Sequence, residues 1–273
     1  MADTTLDPGP RGEVSMVMRT YDGGAGGVDY GAPGPGYAAC RRPDERIARL
    51  IAEAIGDAST VLNVGAGTGS YESAARTVTA VEPSLAMRVR RPAELVDAVD
   101  AVAEDLPFAD GEFAAAMTLF SVHQWCDVEA GLREMRRVTR GPVVILTCDP
   151  LRVRDFWLYE YAPEVLDAEA RRYPPLDRLT SALGGTTTVQ PVPIPLDCTD
   201  GFNEAYYGRP ELLLDPAARQ ACSAWSFLDD RARRDFDTSL RRALGSGSWD
   251  EAFGHLRSRP TYNGSLVLLR TTP

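Results

Sequence analysis

The sequence predicts an α/β protein whose centre is a doubly wound, mostly parallel sheet. Extended apolar segments alternate with helical ones along the middle of the chain, at the spacing of βαβ crossovers. A glycine-rich turn follows the first of these segments, and a clean apolar strand closes the sequence.

The elements follow in order. "RRPDERIARLIAEAIGDAST" reads as an amphipathic helix with Ile47, Leu50, Ile51, Ala54 and Ile55 on one stripe and Gly56 at its stop. "TVLNV" and "TVTAVEP" are the first two strands, "LVDAVDAVAED" leads into a third, and "FAAAMTLFS" is the fourth. The helix "DVEAGLREMRRVTR", capped by Asp127, precedes a fifth strand, "PVVILTC". "DFWLYEYAPEVLDAEARRY" is helical and aromatic, and a further helical block covers about Pro216 to Leu244. "TTTVQPVPIPL" suits a proline-bearing edge strand, and "GSLVLLRTT" is the terminal one, which makes seven.

Composition narrows the function. The chain has 273 residues, 44% hydrophobic and 25% charged, in the ordinary range for a soluble globular protein. No apolar run reaches the roughly 20 residues of a membrane span, and "MADTTLDPGPRGE" has no signal-peptide pattern, so the expected location is the cytoplasm with no membrane partner. A formal net charge of −10 disfavours nucleic acid. The five cysteines are scattered and never form a C-x-x-C pair, which argues against a disulfide framework or metal site.

The stretch "VLNVGAGTGSYE" carries most of the functional information. Its glycines Gly65, Gly67 and Gly69 let the backbone approach a ligand at the crevice beyond the strand ends. The spacing is G-x-G-x-G rather than the dinucleotide G-x-G-x-x-G, and no Gly-Lys-Ser/Thr of a phosphate loop follows. Glu82 ends the second strand, 19 residues after Asn63, where an acid can accept from both hydroxyls of a ribose. "AEDLPFADGEF" offers a short apolar shelf for a flat ring.

Taken in order, "VLNVGAGTGSYE", "AVEPSLAM", "AEDLPFADGEFAAAM", "FSVHQWCD" and "EMRRVTRGPVVIL" resemble a class I S-adenosylmethionine-dependent methyltransferase. Within that class the chain is most similar to the ubiquinone and menaquinone methyltransferase-like (type 11) group, from about Ile47 to Asp149. The resemblance implies a Rossmann-like doubly wound sheet of seven strands, mostly parallel with an antiparallel last strand, plus a helical substrate cap. It implies S-adenosylmethionine as cofactor, S-adenosylhomocysteine as product and no metal. Gly65, Ala66, Gly67 and Gly69 would pass beneath the methionine half, with Asn63 and Ser121 nearby. Glu82 would hold the ribose, Pro83, Ser84 and Met87 would flank the adenosine, and Ala103, Glu104 and Leu106 would line the adenine. Two positions depart from the family: Asn63 replaces an acid, and Val102 replaces the aspartate that contacts adenine, leaving that contact to Glu104, backbone or water.

His123, just past the fourth strand, is a candidate general base, with rim packing beside Trp125 as the alternative. His255 lies far along the chain, where surface or packing is the default. The organisation expected is a tail and Gly/Pro/Tyr lid over residues 1–40, a cofactor-binding core over 41–150, and a C-terminal part over 151–273 that completes the sheet and carries the cap. Substrate walls are expected from Tyr21, Tyr30 and Tyr37 of the lid, then His123, Trp125, Trp157, Tyr159 and Tyr161, and later Phe202, Tyr206, Tyr207 and Trp225. So aromatic a pocket suits a hydrophobic or planar small molecule, methylated on oxygen, nitrogen or carbon. A non-methylating reaction such as a cyclisation, a binding protein without turnover, and a nicotinamide-dependent oxidoreductase are the competing readings. The oligomeric state is not encoded in any feature of the sequence.

Overall fold

The computed structural model describes residues 40–273. A helix α1 (Glu45–Ile55) enters the sheet, its N-terminus capped by the Asp44 carboxylate and its end marked by Gly56 at φ 69°. The strands are β1 (Thr60–Val64), β2 (Thr77–Val81), β3 (Ala115–Leu119), β4 (Val143–Cys148), β5 (Thr186–Pro191) and β8 (Leu266–Thr272), in the order β2-β1-β3-β4-β8-β5. β1 to β4 pair in parallel, and β8 runs antiparallel to both β4 and β5. A separate two-stranded ribbon joins β6 (Ile194–Pro195) and β7 (Thr261–Tyr262).

The sheet therefore has six strands where seven were expected. The segment "LVDAVDAVAED" makes only one bridge, Val99 beside Val81. A parallel strand needs cover on both faces, but Val96 and Val99 stay exposed and Asp100 pairs outward with Arg88. The segment hangs on the β2 edge without extending it.

Successive strand residues point to opposite faces, and two apolar clusters result. On one face Val61, Met117, Val144 and Leu146 pack against Ile47, Ile51 and Ile55 of α1. The same cluster continues into Phe156, Trp157, Trp225, Phe236 and Trp249, so the C-terminal part shares a core with the sheet. On the other face Leu62, Val143 and Ile145 meet Leu132 and Met135 of α3 (Val128–Arg137) and Leu179 and Leu183 of α5 (Leu176–Leu183). The short α2 (Leu85–Arg88) follows β2, capped by Ser84.

The aromatic segment after β4 divides into two short 3-10 turns and α4 (Pro163–Arg172), because Pro163 suits a first helical position and Pro174 prevents continuation. The later helical block similarly divides into α6 (Pro216–Gln220), a 3-10 turn over Ser223–Phe227 and the long α7 (Asp230–Ser246), followed by α8 (Ser248–Phe253). Among the described residues no helix is long and apolar enough to cross a membrane.

Candidate active site

The strand order reverses between β1 and β3, and a crevice opens there at the C-terminal strand ends. A cavity of about 510 Å³ fills it. Its floor is the turn after β1. Gly65, Gly67 and Gly69 all have positive φ, and Ala66 N–H donates to Val81 O (2.9 Å), tying the turn to β2. Gly65 is pressed against the opposite wall, where a Cβ would overlap the Ser121 hydroxyl. Above Gly67 the space is open, with no atom within 4 Å of a Cβ position.

Glu82, at the end of β2, faces the cavity and accepts from Gly67 N–H at 2.8 Å and Ser84 N–H at 2.9 Å. Burial raises the pKa of its carboxyl, while those two amides and the nearby Arg88 and Arg91 act the other way. Below the turn, Asn63 Nδ2 donates to Glu72 Oε1 (2.9 Å), and Glu72 pairs with Arg91 at 2.7 Å in a nearly water-free setting. The acid absent at position 63 is thus present one turn away, neutralised by a guanidinium.

The far half of the cavity comes from the C-terminal part. Phe120, Tyr173, Phe202 and Trp225 supply aromatic surface, with Arg41, Glu169, Arg219 and Arg233 on the lining. Two non-glycine residues with positive φ, Tyr71 and Phe120, stand on the wall, a placement typical of functional sites. Tyr71 donates to the buried Asp200 at 2.9 Å, and Asp200 also pairs with Arg41 at 2.5 Å. The glycine turn and the C-terminal part are thereby joined side chain to side chain.

A methyltransferase domain family matches residues 62–145, the stretch that builds the cavity floor. The demethylmenaquinone methyltransferase of Mycolicibacterium paratuberculosis is 31% identical over 156 residues, 55% of this chain and 64% of that protein. The uncharacterized protein YafE of Escherichia coli K12 is 40% identical over 60 residues, 20% of this chain and 29% of that protein. The chain thus spans less than two thirds of the length of these curated relatives. A solved structure from Anabaena variabilis, described as a methyltransferase from an antibiotic biosynthesis pathway, superposes with a TM-score of 0.80 at 28% identity. That likeness covers 86% of this chain and all of the Anabaena one. Residues 62–145 thus match a methyltransferase domain, and the chain is similar to class I S-adenosylmethionine-dependent methyltransferases of the type 11 group.

Of the residues expected in this methyltransferase site, Asn63, Gly65, Ala66, Gly67, Glu82, Pro83, Ser84, Met87, Ala103, Ser121, His123 and Trp125 line the one cavity. Gly69 points away from it, toward Leu95 and Arg91. Leu106 is buried in the core beside α3. Glu104 accepts from Asp127 N–H (3.0 Å), and its Oε2 is buried without a hydrogen-bond partner among the described residues. Trp157, Tyr161 and Tyr206 are not on the lining. Trp157 donates to Tyr207 O (3.0 Å) and stacks edge-on against Trp249, Tyr161 packs against Trp157, and Tyr206 is buried beside Gly201. Tyr21, Tyr30 and Tyr37 lie outside the described residues. Tyr71, Phe120, Gln124, Glu169, Tyr173 and Arg219 are among the wall residues that sequence reasoning did not single out.

His123 sits in a polar network that fixes its tautomer. Arg172 donates to Gln124 Oε1 (2.7 Å), so the Gln124 amide nitrogen faces His123 Nε2 at 2.8 Å and donates to it. The ring proton then resides on Nδ1, a buried donor without a partner among the described residues. Burial, followed by the charges of Arg172 and Arg41, depresses the imidazole pKa to about 3. His123 is a neutral hydrogen-bond donor rather than a strong base.

Two carboxyls behave in the opposite sense. Burial and then the charge of Glu204 push Glu169 up to about 8, and burial pushes Glu204 up to about 7. Both bind a proton more tightly in the folded chain than unfolded. Their contribution to stability is complete below the usual carboxylate range and is lost as pH rises through about 7 and about 8. The wild-type melting temperature is expected to fall from about pH 5 to about pH 8, and Glu204→Gln to flatten that fall. Parallel slopes for the two proteins in thermal scans would refute this assignment.

Proposed function

We propose that the chain transfers the methyl group of S-adenosylmethionine to a small hydrophobic or planar molecule, releasing S-adenosylhomocysteine. The observation that carries this reading is the continuity of the cavity: one space runs from the glycine turn and Glu82 to Phe202, Tyr173 and Trp225. When bound, the cofactor supplies an activated methyl on a sulfonium. The chain's own part is to align the two ligands and exclude water, from which much of such a rate arises.

In this reading Glu82 accepts from the ribose hydroxyls through the lone pairs that Gly67 and Ser84 leave free. Pro83, Ser84 and Met87 flank the adenosine. Ala103 serves the adenine edge, with Glu104 and Leu106 behind the lining rather than on it. The open space above Gly67 takes the methionine half. Residues 41–150 form the cofactor-binding core and 151–273 the part that shapes the substrate half; the lid expected over residues 1–40 falls almost wholly outside the described residues. A small-molecule substrate agrees with the Anabaena protein's assignment to antibiotic biosynthesis and with demethylmenaquinone in the name of the mycobacterial relative.

Calorimetric titration with S-adenosylmethionine, S-adenosylhomocysteine and NADH tests the reading. The first two are expected to bind on the order of micromolar and NADH not at all. Binding of NADH alone would replace it with a nicotinamide function. Release of a cyclised, unmethylated product would replace it with the non-methylating one.

A further inference from the structure

Helical spacing places Glu169, Arg172 and Tyr173 on one face of α4 and its C-cap. Glu169 and Tyr173 line the cavity, and Arg172 braces the wall by donating to Gln124 and Ser223 Oγ (3.0 Å). The lining holds two carboxyl groups among the described residues, Glu82 and Glu169. They are held differently. Both oxygens of Glu82 accept from backbone amides, whereas Glu169 accepts through Oε1 alone, from Asn203 Nδ2 at 2.8 Å. Asn203 Oδ1 in turn accepts from the Trp225 indole (2.9 Å), so the amide cannot flip without losing both bonds. Trp225 and Asn203 thus aim one carboxyl into the aromatic half of the cavity, and no described hydrogen bond reaches its Oε2.

We infer that Glu169 takes the proton of the methyl acceptor, with Asn203 as its positioning residue, and that the acceptor is a planar ring bearing an acidic hydroxyl; the inference rests on the methyltransferase reading above. In the transfer the hydroxyl proton passes to Glu169 and the acceptor forms a bond to the methyl carbon, through its oxygen or the ring carbon that oxygen activates. The electron pair of the broken carbon–sulfur bond stays on sulfur. Where the ring carbon is the nucleophile, its own proton leaves afterwards to water and restores the aromatic ring.

The surroundings agree with that assignment. Glu169 faces Glu204, which raises its proton affinity, and Arg172 and Arg41, which lower it. Cys148, Tyr173 and Cys222 are also near and are held protonated by burial. The result, about 8, lies near neutral operating pH, where a general base is most effective. His123, by contrast, is too weakly basic to compete for the proton.

The test uses the full chain saturated with S-adenosylhomocysteine, with Glu169→Gln, Glu169→Asp and Asn203→Ala beside the wild type. Infrared difference spectra of wild type minus Glu169→Gln are expected to show one protonated carboxyl band that vanishes with a midpoint of about pH 8. In Asn203→Ala that midpoint moves upward, because a bond that favours the charged form is gone. With 2-naphthol as probe, the wild type is expected to prefer the naphthol over 2-methoxynaphthalene by about tenfold, Glu169→Asp to keep part of that preference, and Glu169→Gln to lose it. S-adenosylhomocysteine affinity stays within about twofold in all three variants, which also shows that they fold. A missing band, a midpoint in the ordinary carboxylate range, no naphthol binding, or a preference that survives in Glu169→Gln overturns the inference. Failure of the wild type to bind S-adenosylhomocysteine would instead bring down the methyltransferase reading, and this inference with it.

Discussion

Gly65→Ala is expected to abolish cofactor binding and to lower the melting temperature together. Gly65 has φ 67°, a conformation costly for any residue with a side chain, and its Cβ would overlap Ser121 Oγ and Cβ on the opposite wall. Strain and displacement together are of the order of 2–4 kcal/mol. In a chain of this size that is roughly 5–10 °C in melting temperature. Because Ser121 begins the turn after β3, the clash also pushes apart the two strand ends between which the cavity opens. Gly67→Ala is the informative partner. It shares the positive φ but meets no neighbour, so it is expected to lose S-adenosylhomocysteine affinity while melting much closer to wild type. Scanning calorimetry and titration on the two variants decide the matter, and a Gly65→Ala protein with unchanged melting would contradict the crevice as described.

Glu82→Ala is expected to weaken cofactor binding about 100-fold, or about 2.7 kcal/mol. The carboxylate does more than face a ligand. It accepts from Gly67 and Ser84, so its loss leaves two amides near the site unpaired and the glycine turn tied to β2 through the Ala66–Val81 backbone bond without the carboxylate's help. Glu82→Gln separates the two roles: one amide oxygen can still hold a backbone N–H, but the second position becomes a donor facing a donor. An intermediate loss of about tenfold is expected for it. Equal affinities for wild type and Glu82→Ala would remove the ribose from this place.

The near half of the site was legible because it is local. Val61 to Glu72, Glu82 to Met87 and Ser121 to Trp125 are strand ends followed by turns, and a strand end points where the sheet points it. Seven strands reduced to six because the apolar spacing of Val96 and Val99 looks extended, but no neighbouring element covers those two residues. The far half was legible only in Phe202 and Trp225. Glu169, Tyr173 and Arg219 come from short helices whose facing is set by packing against distant residues rather than by any period in the chain. Aromatic richness located the right region and mixed two populations within it. Trp157, Tyr161 and Tyr206 went to the core, whereas Phe202 and Trp225 went to the cavity. Glu169 gave no signal at all. Nothing in "DAEARRY" distinguishes an acid aimed inward from one left in water; only the Trp225–Asn203 relay does so.

The bond from Tyr71 to Asp200 crosses between the two halves of the cavity, and it makes them thermodynamically dependent. A ligand that steadies the glycine turn also steadies the wall opposite, because both ends of that bond must be in place for either to hold. Linkage then requires reciprocity: whatever factor the first ligand adds to the affinity of the second, the second returns to the first. Under the proposed function, either ligand measured alone is therefore expected to bind more weakly than it does in the ternary complex.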